Sequence, residues 1–588
     1  MISKLRSLCW NKIAQHQMIP DRALELLRLY VKADRLSKAK RVSAHLASRM
    51  DMITNAQLKQ FIVIAGTLDQ ADAISTAIGS VKNRSLIDLE LAKVLLRIAH
   101  VAENEPLADR VESALCDRIA PAELSLFRIE ATRMRQGPQA ALSLALATRS
   151  AARDPRMATS LARLLIDTGR KELALRYLLL CVRRWPNSLP VLKSLAHAFI
   201  QAGLPEKGLE WFEAHQSEKI VGPLADVYVR FLLVLGRLEE IVEHIKTEIA
   251  AGRKSAGNIM LLQLLCTLGR PEEAESVATL MKANPQHAKR NRVHFSISLL
   301  GTQLNELRLY RQIVPKTGQV PTDPDLAATY LQAATEVLDA RAACAPCPVS
   351  ADMAPPIPRR IFQYWNTPTV PEAIDGIMQT WREVPGWTYE QFDRSQALRW
   401  LSETFDADHR RAFTLARHVA EESDFLRLCV LYQQGGIYVD ADDMLTGHPN
   451  DIIGAGPGLI VFREPFGALA NNLICAPPGH PAIGQAMAMA KTALLGLDND
   501  NTWSKTGPGL LTRAVAWHML QNPEHARRDT QVLPHYHLFR HTLPHVPLPY
   551  KTTASYWNAG AFRTTDSVMS ALTTLAETGQ GQNPGHGS

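Results

Sequence analysis

No stretch of this 588-residue chain approaches the roughly 20 consecutive apolar residues that a bilayer-crossing helix needs. The richest candidates, such as 227–235, are short and broken by Arg230. The first dozen residues, Met1 to Lys12, lack the apolar core of a secretory signal. A soluble, cytoplasmic protein is expected, with any membrane contact peripheral, at the inner membrane face. Cysteine is sparse as well. The eight, at 9, 116, 181, 266, 344, 347, 429 and 475, are scattered mostly among apolar neighbours, so no disulfide framework is visible. The one close pair, Cys344 and Cys347, lies in a Pro/Ala-rich stretch without a second pair, and reads as linker with incidental thiols rather than a zinc or redox site. Charge of one sign is also weak: a net +7 over this length is explained by a solvated basic surface and calls for no nucleic-acid partner.

What is present falls into two regions with different patterns. The length itself, at about 150 residues per domain, asks for three or four units. Residues 1–340 are helix-forming throughout and repeat: Gly169, Gly203, Gly236 and Gly269 stand 34, 33 and 33 apart, each after an apolar stretch. Five residues on comes a small residue in three of the four, Ala174, Gly208 and Ala274, with Ile241 the exception; Pro186 and Pro285 close units. Fainter copies surround Gly66 with Ala71, and Gly137 with Ala141. The glycine turns the chain between two antiparallel helices, and the small residue stands where they approach closely. The pattern resembles tetratricopeptide repeats, which implies about eight helix pairs stacked as a solenoid. The surface of such a stack suits a protein, peptide or glycan partner, or serves packing alone.

Residues 341–356 carry four prolines and mark a linker. From 357 to 570 apolar strands alternate with helices, the pattern of an α/β domain with a mainly parallel sheet, and 571–588 reads as a disordered tail. Strands are expected from Ile357 towards Trp365, at 388–393, at 436–440 and at 458–462, with helices at 394–404 and 409–433. The run from Ser423 to Asp442 reads as helix, a Gly435-Gly436 break, a short strand, then two carboxylates at i and i+2. Side chains two apart in extended backbone share a face, so Asp440 and Asp442 present oxygens to one point at the carboxyl end of a buried strand. Hard divalent cations that hold phosphates favour that arrangement. Asp424 and Arg427, three apart, share a helical face nearby.

The C-terminal region resembles glycosyltransferases with the DXD sugar-binding region, a family that includes the yeast initiating α-1,6-mannosyltransferase and bacterial capsular-polysaccharide transferases. Matching pieces occur in family order: Ile357 to Ile361 through Trp365; Trp381 with Pro385-Gly386-Trp387; Ser423-Asp424 with Arg427; Gly435 to Asp442; Asn471 to Ile474 with Pro478 to Pro481; and Thr506-Gly507-Pro508. The resemblance implies a GT-A-type α/β domain and a retaining transfer of a hexose from a UDP- or GDP-linked donor. It places Mn²⁺ or Mg²⁺ on Asp442 with Asp440, and the catalytic contacts to the donor sugar on Asp424, Arg427 and Asp440. Trp365 would stack on the base, and Asn471, Thr506 and Gly507 would complete the donor site. The acceptor would be a glycan or lipid-linked glycan. A protein substrate selected by the repeats, or an inactive transferase domain on a helical scaffold, are the rival readings.

Two departures from the family pattern stand out. Phe362 occupies a position where histidine is common, and no histidine directly precedes the Ser555-Tyr556-Trp557 segment. Lys551 or Asn558 could stand in there. Asp443 adds a third carboxylate whose direction the sequence leaves open. His535, His537, His541 and His545 are too loosely spaced, in a Pro-rich segment, to read as a metal set. An aspartyl-phosphotransferase reading fails because Met444 stands where that chemistry needs Thr or Val.

Overall fold

The computed structural model describes residues 20–552 apart from 33–34, 48–53, 69, 81–86, 102, 117, 149–153, 221, 251–257, 284–298, 316–319, 343–355 and 455–457. Pro285, the Cys344/Cys347 pair, the linker between 343 and 355, Asn558 and the tail lie outside the described residues. The described chain forms two compact units, one comprising residues up to 164 with 547–552 and the other residues 165–546. Among the described residues no helix is long and apolar enough to cross a membrane, and Cys116, Cys181, Cys266, Cys429 and Cys475 are free thiols.

The first unit is built of short helices from Pro20–Lys32 onwards, whose apolar faces meet in one core that includes Leu27, Phe61, Ile62 and Leu95. The 547–552 segment belongs to this unit, where the Pro549 carbonyl lies 2.9 Å from His100 Nε2.

In the second unit, helices Lys171–Arg184, Leu189–Gln201, Pro205–Ile220, Ala225–Val234, Leu238–Ala250, Asn258–Thr267 and Pro271–Ala283 continue the pairwise pattern. The periodic glycines Gly169, Gly203, Gly236 and Gly269 all have φ between 68° and 79°, so each reverses the chain between helices as its spacing implied. The small-residue position is equally physical. Ala174 and Ala274 are fully buried, and a Cβ on Gly208 would meet the Phe231 ring at 2.6 Å. The chain is thus helical and repeat-like towards its N-terminus.

The α/β part of this unit holds a six-stranded sheet in the order β2-β1-β3-β6-β5-β7. Its strands are β1 (Arg360–Tyr364), β2 (Thr388–Phe392), β3 (Gly436–Val439), β5 (Leu459–Arg463), β6 (Leu469–Ala476) and β7 (Thr530–Pro534); β4 (Met444–Leu445) and β8 (Thr542–Leu543) pair separately as an antiparallel ribbon. Strand β1 runs parallel to β2 and β3, and β5 to β7, but β6 is antiparallel to both β3 and β5. The sheet is therefore mainly parallel, as expected, with β6 as its one reversed strand. The cause is local: only residues 464–468 join β5 to β6, too few for the crossover that parallel pairing requires.

The expected helix at 409–433 is two, Ala407–Thr414 and Val419–Gln434, the second opened by the Glu421 carboxylate accepting the Arg417 amide at 2.9 Å. That second helix is buried from Glu421 to Leu431 except at Ser423, packed against the sheet that carries β3. Gly435 and Gly436, at φ 64° and 114°, allow the abrupt return into β3; a Cβ on either would lie 2.6 Å from Pro478 or from the Arg360 carbonyl.

Candidate active site

All four residues of β3 are buried, the continuous apolar pattern of a central strand, and the chain emerges at Asp440. The Asp440 amide donates to the Asn472 carbonyl (2.8 Å), and Gln363 Nε2 donates to the Asp440 carbonyl (3.2 Å). Asp440 is thereby fixed between β6 on one side and β1 on the other. Trp365 follows β1 directly, its amide bonded to the Phe392 carbonyl at 3.0 Å, so it stands at the same edge of the sheet as the acids.

Asp424 and Arg427 meet as their spacing required, Arg427 Nη2 lying 3.2 Å from Asp424 Oδ1 and 3.0 Å from Asp440 Oδ1. One guanidinium therefore joins the helix to the end of β3. It is otherwise consumed inside the protein, donating to the Ser423 hydroxyl (2.9 Å) and the Asn471 carbonyl, and lying 4.6 Å from the Tyr438 ring centre. Asp424 accepts from Asn471 Nδ2 (2.9 Å) and from the Thr506 hydroxyl (2.8 Å). The structure thus brings Asp424, Arg427, Asp440, Asn471 and Thr506 together. Gly507 sits next along, at the start of the Pro508–Gln521 helix.

The third acid is the least exposed. Asp443 is fully buried; it accepts the His545 amide on Oδ1 at 2.8 Å and the Asn472 amide group on Oδ2. Its carbonyl accepts the indole N–H of fully buried Trp381 at 2.7 Å. The Asp442 carbonyl accepts the Val546 amide at 3.0 Å, and β4 pairs with β8, so residues 440–445 are stitched to residues 542–546. In consequence one ligand atom from each of Asp442, Asp443 and His545 lies within 4.8 Å of the others. His545 holds this place at φ 53°, a left-handed conformation costing a non-glycine residue about 1–2 kcal/mol.

Burial, reinforced by the neighbouring carboxylates, holds the Asp440 and Asp443 carboxyl groups above the usual carboxylate range, while Arg427 and His545 respectively pull them down. Burial likewise raises Asp424 against the pull of Arg427. Oxygen and imidazole donors crowded until their charge is disfavoured are a fitting donor set for a divalent cation. Of the four dispersed histidines only His545 reaches these acids among the described residues. Lys551 belongs to the other compact unit. The participation of His545 was hidden by its separation from Asp443, 102 positions in sequence, through two-residue strands.

A second buried charge cluster supports the helix start. Glu421 is fully buried and receives Lys505 Nζ (2.8 Å), Arg417 and the Thr502 hydroxyl (3.1 Å). Burial pushes its carboxyl up, but the hydrogen bonds from Lys505 and Arg417 outweigh that and hold it at about 2. Thr506 follows Lys505, so this cluster also anchors the segment whose hydroxyl reaches Asp424.

Residues 371–457 match a family model described as the glycosyltransferase sugar-binding region containing DXD motif. The chain is 23% identical over 172 residues to an uncharacterized glycosyltransferase of Acanthamoeba polyphaga mimivirus, covering 28% of this chain and 68% of that one. It is 24% identical over 135 residues to inositol phosphoceramide mannosyltransferase 1 of Schizosaccharomyces pombe, covering 22% of this chain and 42% of that one. Among solved structures, the PaToxG glycosyltransferase is similar with a TM-score of 0.25 and 19% identity over 34% of this chain and 81% of its own. A pentatricopeptide repeat protein from maize has a TM-score of 0.24 and 14% identity over 70% and 66%. The chain carries a DXD-type glycosyltransferase domain.

Proposed function

We propose that this glycosyltransferase is a metal-dependent, retaining enzyme of the GT-A type that moves a hexose from a UDP- or GDP-linked donor to a glycan or lipid-linked glycan acceptor. The observation that carries the reading is the meeting of three carboxylates, Asp440, Asp442 and Asp443, at the end of β3 with the Asp424/Arg427 helix. Mn²⁺ or Mg²⁺ would be held by Asp442 with Asp443 and His545, and would offset charge on the departing diphosphate by several kcal/mol. Asp440 is oriented by Arg427 towards the donor, and Asp424 retains acceptor capacity for a sugar hydroxyl beyond its bonds to Asn471 and Thr506. Trp365, half-buried at the same edge, offers an aromatic face for the base. In a retaining transfer the new bond to the anomeric carbon forms on the face the diphosphate leaves. The acceptor hydroxyl proton passes to the departing phosphate oxygen.

The test is a panel of UDP- and GDP-sugars scored for Mn²⁺-dependent turnover. One donor is expected to be hydrolysed slowly without acceptor, with Asp442→Asn lowering the rate about 10²-fold or more. A folded wild-type protein that turns over no donor with either metal, with or without glycan acceptors, would leave the helical-scaffold reading in its place.

A further inference from the structure

The β5–β6 turn does more than reverse the chain. Arg463 Nη1 pairs with Asp339 Oδ1 on helix Leu331–Ala342 at 2.6 Å and its Nε donates to the Gly467 carbonyl at 2.9 Å. A Cβ on Gly467 would stand 3.5 Å from the methyls of Thr267 and Thr335. The turn is therefore clamped onto the last helices of the repeat-like region. Between them lies a cleft of about 120 Å³, lined by Gln263, Gln303, Glu306, Glu464, Phe466 and Trp503 among others.

We infer that this cleft is the acceptor subsite and that it takes an uncharged saccharide, an inference that rests on the glycosyltransferase reading. Two of its wall residues adjoin segments of the candidate active site. Glu464 directly follows β5, whose carboxyl end lies on the same side of the sheet as that of β3, since β6 is antiparallel to both. Trp503 precedes by three residues Thr506, whose hydroxyl holds Asp424.

The chemistry of the lining selects the ligand. The side chains of Gln263, Gln303, Trp503 and Glu464 make no hydrogen bond among the described residues, so paired donors and acceptors face the cleft unspent. Amides and carboxyl groups bond sugar hydroxyls, and the Trp503 and Phe466 rings match the apolar face of a pyranose. No lysine or arginine lines the cleft, and two glutamates do. A phosphorylated or uronic-acid unit would meet like charge there.

The experiment is binding by saturation-transfer NMR to the full chain. The probes are maltotetraose, cellotetraose, mannotetraose and chitotetraose, with tetragalacturonate as the anionic counterpart. At least one neutral tetrasaccharide should bind and tetragalacturonate should not, with Gln303→Leu and Gln263→Leu each weakening binding about 10-fold. Both glutamines lie on helix surfaces, so folding is preserved, which circular dichroism checks. A wild-type protein that hydrolyses donor but binds none of the neutral panel, or binds it unaffected by both variants, or prefers tetragalacturonate, overturns the subsite and leaves the transferase reading standing. Saccharide binding that fails in both variants, with no donor turnover in the wild type, keeps a saccharide site in the cleft but overturns its role as acceptor subsite along with the transferase reading.

Discussion

Removing the Arg427 guanidinium probes the electrostatic design of the site most directly. The side chain is 5% exposed and sits 3.0 Å from Asp440 and 3.2 Å from Asp424. Arg427→Met keeps most of the stem's volume but leaves the buried Asp424 and the partly exposed Asp440 without the cation between them. Removing one partner of a buried pair costs about 3–5 kcal/mol, and here a single cation serves two acids, so the upper end applies. At about 2–4 °C per kcal/mol for a domain of roughly 200 residues, the melting midpoint of the metal-free protein should fall by about 10–15 °C at pH 7.5. The cost lies in the stranded charge rather than in lost contacts. Asp440→Asn placed on the Arg427→Met background should therefore restore more than half of the loss. Both acids have carboxyl groups raised by burial. Lowering the pH below those raised values neutralises them in the fold, so the deficit of Arg427→Met should shrink towards pH 5. A drop smaller than 2 °C, or a double variant no more stable than the single one, refutes the argument.

Trp381→Phe removes the indole N–H that meets the Asp443 carbonyl at 2.7 Å and leaves a fully buried acceptor unpaired; a loss of about 1–3 kcal/mol in urea unfolding is expected, with weaker Mn²⁺ binding by calorimetry. Glu421, held at about 2 in the fold against an ordinary 4.5, contributes stability that is complete above about pH 4.5 and lost as the pH falls towards 2. That amounts to about 3 kcal/mol, so Glu421→Gln should be less stable at neutral pH and show a flatter acid-unfolding profile. Two glycines at equivalent turns should part company. A Cβ on Gly236 meets nothing within 4 Å, whereas one on Gly203 meets Arg540 Cγ at 2.4 Å and the Tyr536 carbonyl at 2.9 Å. Gly236→Ala should cost only the left-handed penalty of about 1–2 kcal/mol and Gly203→Ala clearly more, read by differential scanning calorimetry; equal costs would contradict this.

Local chemistry was legible in the chain, and distant pairing was not. The glycine period announced real turns because a left-handed residue is demanded by each reversal, whatever surrounds it. The expected strands at 388–393, 436–440 and 458–462 match β2, β3 and β5 to within a residue or so; β3 and β5 are apolar runs that follow a glycine, and β2 holds two aromatic residues. The meeting of Asp424, Arg427 and Asp440 followed from helix and strand spacing plus a two-glycine return. The antiparallel entry of β6 escaped because it depends on a five-residue turn whose partner is chosen by the whole sheet. The break before Val419 escaped because a side chain, Glu421, supplies the capping bond from inside the helix. His545 escaped for the same reason as β6: what brings it to Asp443 is a ribbon too short to carry any periodicity.

That ribbon has an unexpected tether. Lys171, buried at the start of a repeat-like helix, donates its ammonium to the carbonyls of Phe539 and Thr542, immediately before the hairpin arm that ends in His545. A fragment cut at the linker and expressed from 357 onwards would carry every acid of the candidate active site, yet it would lose Lys171 and the Gly203 and Glu206 oxygens that accept from Arg540 and Tyr536, all of which hold this segment from the repeat-like region. Such a truncation is not a minimal enzyme but a loosened one. Insertions or drift in the Lys171 helix would loosen the hairpin that carries His545 to Asp443, with no change to any residue of the proposed donor site.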